Sequence, residues 1–309
     1  MDAVKIGRVF TCALPCKEVF HTKMVVIFSF LDAQGKETWA EASPLPARSR
    51  ETFDEVIDAL SALKQGKTLS HIPSSLQFAM DATTLPPLDK PIPISRLLAG
   101  SPKQILETAE KLHREGTTCV KVKITGLDIQ EEISLLKELK KNFTLRIDAN
   151  RSLSLQEAMT FASHFDPADP SIEYFEEPLR FPLELNKFPL PFALDESLIE
   201  PHLELLLTFA NLRALVLKPS VIGGRAACLE WMQRRPDLKC VLSSAFESGI
   251  GILQLARLYT SLPSLANYPG LDSYSYLEED VLQIPLELRG GFLIPPKDFA
   301  VRETMLCPI

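Results

Sequence analysis

Three short stretches of the chain finish in acid: "RIDAN" carries Asp148, "EYFEEP" carries Glu176 and Glu177, and "FALDES" carries Asp195 and Glu196. Acids brought to one point repel one another, and a face built from them calls for a cation in their midst. None of the five histidines, at 21, 71, 113, 164 and 202, lies on these stretches. The donor set is therefore all oxygen, which suits Mg2+ with positions left open for water or substrate oxygens, and leaves Mn2+ possible. Lysines flank the acids on both sides. "CVKVKI" holds Lys121 and Lys123, and "LVLKPS" ends in Lys218. On an extended chain Lys121 and Lys123 share one face, with Val120, Val122 and Ile124 on the other. Taken alone, the pair reads as an edge strand guarded by charge. Beside Mg2+, two neighbouring ammonium groups lower each other's pKa, and one amine can then act as a base. A positioned base supplies roughly 10²–10⁴-fold, too little to remove a proton next to a carboxylate. Metal stabilisation of the resulting enediolate would have to provide the rest.

The elements must bring these residues together. Asp148, Glu176, Asp195 and Lys218 follow one another at intervals of 28, 19 and 23 residues. Each interval is about one βα unit, so the four fall at the same end of successive strands. In a barrel that end is the C-terminal face, where active sites sit. From about Ile92 onward short apolar strands alternate with helices. "SPKQILETAEKLHREG" has Ser101 as N-cap, Pro102 in the first turn and Gly116 as the stop. Asp128 with Glu131, and Ser154 with Glu157, read as capping boxes. The pattern predicts a parallel (β/α) barrel, with a doubly wound open sheet as the alternative. The first ninety residues differ. "KIGRVFTC", "MVVIFSFLD" and "ETWAEASP" read as an antiparallel sheet, followed by helices near Glu51–Lys64 and Pro73–Thr83. This is an α+β domain over 1–90, and "TLPPLDKPIPIS" marks its boundary.

Bulk properties exclude several classes. The 309 residues are 46% hydrophobic and 24% charged, as in ordinary soluble proteins. A net charge of −7 and a pI near 5.4 argue against nucleic-acid binding. The longest apolar run, Met24–Phe30, is too short to span a membrane, and the N-terminus lacks a signal-peptide apolar region. Six scattered cysteines without a CxxC unit suit reduced thiols and a cytoplasmic location. Gly66-Lys67-Thr68 has Ser61 where a P-loop needs glycine, and Gly249 and Gly251 are followed by Gln254 rather than a third dinucleotide-loop glycine.

With the acids, the KxK strand and the far-side lysine in this order, the chain resembles the enolase superfamily over nearly its whole length. Within it, "EASPLP", "RIDANRSL", "KPSVIGG", "SSAFESGIG" and "PGLDS" resemble the o-succinylbenzoate synthase family. The resemblance implies a (β/α)7β barrel over 91–285, with an α+β capping domain completed by a C-terminal segment, 286–309. It implies a Mg2+-dependent syn-dehydration of a small-molecule carboxylate in menaquinone biosynthesis. Lys123 would be the base, and Lys218 would hold the opposite face, touching the forming ring by cation–π attraction. Asp148, Glu176 and Asp195 would bind the metal, with Glu177 and Glu196 behind them. The choice of Glu176 over Glu177 comes from the family motif. Lys121 and Arg146 would balance charge, Asn150 belongs to the same motif, and Ser243 and Gly270 match positions holding the succinyl tail. A mobile specificity loop is expected within "CALPCKEVFHTKM". The alternatives are a racemase of N-succinylamino acids or a dipeptide epimerase of the same superfamily, and a barrel that binds without catalysis. The dipeptide version would carry a DxD pair where this chain has Asp272, Ser273 and Tyr274.

Overall fold

The structure, a computed structural model, describes residues 5–17, 22–31, 35–297 and 299–309. It opens with β1 (Ile6–Pro15), β2 (Thr22–Leu31) and β3 (Glu37–Ala42), then α1 (Phe53–Lys64) and α2 (Ser74–Asp81). Short strands β4 (Ile92–Pro93) and β5 (Arg96–Leu98) lead into α3 (Pro102–Arg114), β6 (Cys119–Lys123), α4 (Ile129–Leu139), β7 (Thr144–Asp148), α5 (Leu155–Ala162), β8 (Ile172–Glu176) and β9 (Phe192–Leu194). There follow α6 (Leu203–Leu206), β10 (Leu212–Leu217), α7 (Pro219–Ile222), α8 (Gly224–Arg234), β11 (Lys239–Leu242) and α9 (Gly249–Ser261). The chain ends with β12 (Glu287–Arg289), β13 (Phe292–Ile294) and β14 (Cys307–Pro308).

Local signals set the boundaries. Ser101 and Ser154 cap α3 and α5 in full reciprocal boxes, with Gln104 and Glu157 as the returning side chains. Asp128 caps α4 through the Glu131 amide at 2.9 Å, so that helix has the forward bond of the expected box. Thr52 with Glu55 caps α1 in the same reciprocal manner.

Strands β5 to β11 pair in sequence order, every pair parallel. The Pro269–Gly270 segment joins the two ends: the Gly270 amide donates to Leu242, Ser244 donates to Gly270, and Ser95 donates to Pro269. The result is an α/β barrel. Outward-facing Val120, Val122, Leu145, Ile147 and Phe175 pack under the helices in the main core. Inside, small Ala193 and Ala214 leave room for Tyr174, Val216 and Val241. In β6 the valines are fully buried and the lysines intermediate, so the two faces differ as the alternation predicts.

The N-terminal sheet has the order β14-β1-β2-β3. After the barrel, β12 and β13 form a hairpin on β4. Only beyond it does the chain reach β1, where Cys307 lies opposite Thr11 and Pro308 opposite Phe10. The sheet packs on α1 and α2 in its own core, which includes Val26, Phe28, Val56, Leu60 and Leu76. No helix among the described residues is long and apolar enough to cross a membrane.

Candidate active site

Register builds the site. Lys123, Asp148 and Glu176 lie opposite one another at the C-terminal ends of β6, β7 and β8. Two residues earlier, Lys121, Arg146 and Tyr174 form the next row down. Parallel pairing with a period of two thus delivers alternate residues of three strands to the barrel interior in layers. Asp195 follows β9 directly, and Lys218 follows β10.

Charges meet at short range. Lys121 Nζ lies 2.6 Å from Glu176 Oε1 and 2.7 Å from Asp148 Oδ2. Lys123 Nζ donates to the same Asp148 oxygen at 2.6 Å and to Asn150 Oδ1. Lys218 Nζ pairs with Asp195. Three ammonium groups therefore face three carboxylates, and formal charge cancels. The cations that the converging acids call for are in part the lysines themselves. As placed, the described residues include no cluster of three His, Cys, Asp or Glu groups at metal-binding range.

The donor set nevertheless fits a hard cation. Glu176 Oε2 is buried with no hydrogen-bond partner, and such an orphaned oxygen is costly unless something completes it. Burial, and then repulsion from Asp148, raise the Glu176 pKa to about 8, which marks a place short of positive charge. Asp148 moves the other way: despite burial, Lys121 and Lys123 hold it well below the usual carboxylate range. Burial works against the charge on Lys121, but Asp148, Glu176 and Asp195 outweigh it and hold that amine well above its ordinary pKa. The same balance, with Asp195 foremost among the raising groups, lifts Lys218. Mutual lowering within the KxK pair was the expectation for a basic amine; for Lys121 the surrounding acids outweigh it. Lys123 is the more exposed side chain, at 32% against 15% for Lys121.

Behind this row, Glu177 has a left-handed backbone (φ +40°) that turns its side chain toward β9. It accepts from the amides of Asp195 (2.9 Å) and Ser197 (2.8 Å), the Ser197 hydroxyl (2.9 Å) and Arg151 Nε (3.0 Å). Burial and the neighbouring Glu196 raise its pKa to about 7, with Arg151 opposing. Glu196 pairs with Arg48 at 3.1 Å and accepts from Asn150 Nδ2 at 3.0 Å. Asn150, itself left-handed at φ +43°, thus links Lys123 to Glu196.

An open cleft of about 480 Å³ contains Lys121, Lys123, Asp148 and Lys218 together with Ser243, Gly270 and Phe246. A Cβ on Gly270 would stand 3.0 Å from Ser243 Oγ, so the glycine leaves that hydroxyl its space. Arg146 lies elsewhere. Its guanidinium donates to Glu173 (2.7 Å) and to the carbonyls of Tyr268 (2.5 Å) and Asn267 (2.8 Å), and stacks over Tyr174. One row below Asp148, it plugs the barrel floor with its donors taken up there, and charge balance at the acids rests on the lysines.

The sequence reading gave no role to Lys23, Glu41, Glu247 or Arg151, all of which bear on the walls of the site. Glu41, Arg151 and Glu247 sit inside three of the resembling stretches, the one available signal. Residues 18–21 of the segment expected to hold a specificity loop lie outside the described residues.

Known proteins bear out the architecture. Residues 104–299 match the family model described as enolase C-terminal domain-like. The chain is 32% identical over 274 residues to an o-succinylbenzoate synthase of Yersinia enterocolitica, covering 81% of this chain and 83% of that one. It is 30% identical over 266 residues to the enzyme of that name from Yersinia pseudotuberculosis, covering 79% and 81%. Among solved structures, the L-Ala-D/L-Glu epimerase from Bacillus subtilis aligns with a TM-score of 0.77 at 20% identity, over 96% of this chain and 97% of that one. Muconate lactonizing enzyme from Pseudomonas putida aligns at 0.73 and 18% identity, over 97% and 98%. At those identities the structures speak for the fold. The family match spans well over half the chain, and the chain belongs to the enolase superfamily.

Proposed function

We propose that the protein is an o-succinylbenzoate synthase, a lyase that removes water from 2-succinyl-6-hydroxy-2,4-cyclohexadiene-1-carboxylate to give 2-succinylbenzoate for menaquinone biosynthesis. The observation that carries this reading is that Lys123 and Lys218, from strands four apart in the barrel order, line one cleft with Ser243 and Gly270. The likeness to the Yersinia enzymes of that name supports it. In this reading the barrel is (β/α)7β, Pro269–Gly270 being its eighth stave, and the N-terminal sheet with β14 is the capping domain.

Lys123 takes the proton α to the substrate carboxylate, and Asp148 and Asn150 hold its amine at the cleft wall. The same amine returns the proton to the departing hydroxyl, so one water leaves and the ring aromatises. Lys218, anchored by Asp195, presents a positive charge to the opposite face. Lys121 stays protonated and neutralises Asp148 and Glu176. Mg2+, held by Asp148, Glu176 and Asp195, would supply the charge that makes the enediolate accessible. Glu177 and Arg151 keep the Asp195 turn in place, and Ser243 and Gly270 receive the succinyl tail.

The two amines across the cleft equally favour a second reading, exchange of a proton across the α-carbon of N-succinylamino acids. The dipeptide version is disfavoured, because Asp272 is engaged by Arg96 Nε at 2.8 Å and the Leu97 amide at 2.7 Å. The test pairs a Mg2+-dependent aromatisation assay with optical rotation on N-succinylamino acids. Rapid aromatisation that a chelator abolishes is expected. Racemisation without aromatisation would transfer the assignment to the second reading, and absence of both with no Mg2+ uptake in calorimetry would leave a non-catalytic barrel.

A further inference from the structure

The cleft has a cation behind its wall as well as those within it. Lys23, near the start of β2, is fully buried. Its ammonium donates to Pro44 O at 2.9 Å and to Ala245 O at 3.2 Å. Burial pulls its pKa down to about 8, with Glu247 and Glu41 opposing the fall.

Those carbonyls belong to segments on either side of Lys218. Next to Pro44, Leu45 lines a small pocket that also contains Lys218, Asp195 and Val221. Next to Ala245, Phe246 lines the cleft that contains Lys218, Lys123 and Ser243. Leu45, Val221, Ala245 and Phe246 form one small apolar cluster between the two. The turn at Phe246 is held from both sides. While Lys23 takes the Ala245 carbonyl, the buried Glu247 carboxylate takes the Ala245 amide at 2.5 Å and the Ser220 hydroxyl at 2.7 Å. Ser220 stands two residues beyond Lys218 in α7, so the same clamp holds the turn of helix that follows Lys218. Phe246 itself has φ +62°, a backbone region rare for a bulky side chain. Such a conformation persists where its surroundings over-determine it.

We propose that Lys23 is a positioning residue for substrate binding: from the N-terminal sheet it fixes the Ala245–Glu247 turn, sets Phe246 as a wall of the cleft, and so governs how tightly the carboxylate substrate is held. The inference rests on the assignment of this cleft as the substrate site. It separates the residues that hold substrate from Lys123, which moves the proton.

Lys23→Met in the full chain keeps the stem and removes the charge and the donors. Faster amide hydrogen exchange is expected across Ala245–Ser248. The steady-state constants should split, with KM rising about tenfold or more while kcat stays within about threefold. In a Phe246→Ala background the effect of Lys23→Met on KM should shrink to less than about threefold, because the two act through one wall. Unchanged exchange, a loss confined to kcat, or full additivity of the two substitutions would overturn the inference. Should Lys23→Met fail to fold, Phe246→Ala alone decides: a raised KM is expected, and an unchanged KM overturns it. The probe is the cyclohexadiene substrate, or an N-succinylamino acid if the wild type turns over only that. A wild type inactive on both defeats the reaction assignment, and hydrogen exchange then decides the role of Lys23 by itself.

Discussion

Lys123 and Lys121 carry the same functional group one residue apart, yet the structure gives them different surroundings. Lys121 is wedged between Asp148 and Glu176 and is held charged by the acids around it. Lys123 shares Asp148 but reaches farther into the cleft, where its other partner is the neutral Asn150 amide. Of the two amines, Lys123 is the one placed to meet a bound substrate, its side chain 32% exposed against 15% for Lys121. Lys123→Ala is therefore expected to lower turnover by roughly 10²-fold or more, the usual contribution of a positioned base. Circular dichroism should be unchanged, because the side chain is a third exposed. Turnover within tenfold of wild type would move the base to another amine, Lys218 being the next to test.

At the scale of elements, α9 shows how one carboxylate can fasten the N-terminal sheet to the barrel. Its N-cap, Ser248, donates its amide to Glu41 of β3 at 3.1 Å and its hydroxyl as well, and the Gly251 amide adds a third donor at 3.1 Å. Helix N-termini favour negative charge, but Glu41 is almost completely out of water. Burial dominates, with the repulsion of Glu247 added, and the Ser248 and Gly251 bonds only partly offset them. The pKa rises from 4.5 to about 7. The folded protein thus holds this proton more tightly than the unfolded chain does. The associated stability is complete below about pH 4.5 and is lost as pH rises toward 7, on the order of 3 kcal/mol across the window. Glu41→Gln removes the titration. Its unfolding free energy, measured by urea titration at several pH values, should fall less steeply than that of wild type between pH 4.5 and 7. Parallel slopes would remove Glu41 from the pH response.

Across the whole molecule, the N-terminal elements and the barrel are joined by side chains that donate to backbone carbonyls. Gln254 of α9 donates to the Phe78 carbonyl at 2.7 Å, and Arg257 donates to the carbonyls of Ala82 (3.0 Å), Leu85 and Pro86 (2.8 Å). Backbones approach tightly at Gly224, where α8 begins. A Cβ there would lie 2.4 Å from Asp81 Oδ2 and 3.0 Å from Phe78 Cα, and the residue also needs φ +72°. Gly224→Ala must push α2 away and strain its own backbone. We expect a loss of about 1–3 kcal/mol, seen as a thermal midpoint lower by a few degrees. Hydrogen exchange should rise in α2 before it rises in β6–β8. A variant as stable as wild type would show that this joint yields without cost.

The sequence by itself determined the order and spacing of the chemistry. Acids one βα unit apart must lie at the same ends of neighbouring parallel strands, and alternation in "CVKVK" must put both amines on one face, because both follow from local geometry. Helix starts at Ser101 and Ser154 were equally local. Tertiary structure decided what depended on depth and on partners distant in sequence. Glu176 and Glu177 are adjacent acids, and only the pairing of β8 with β7, with the left-handed turn at Glu177, puts the first beside Asp148 and the second behind Asp195. Arg146 shares a face with Asp148, but closure of the barrel puts it on the floor with Glu173. Lys23 stands just before the apolar run Met24–Phe30, with nothing local to mark it. Its burial against Ala245, 222 residues away, arises only when the N-terminal sheet packs on the barrel. Short-range periodicity fixes which way a side chain points; which neighbours it meets there is set by long-range packing, which no local pattern encodes.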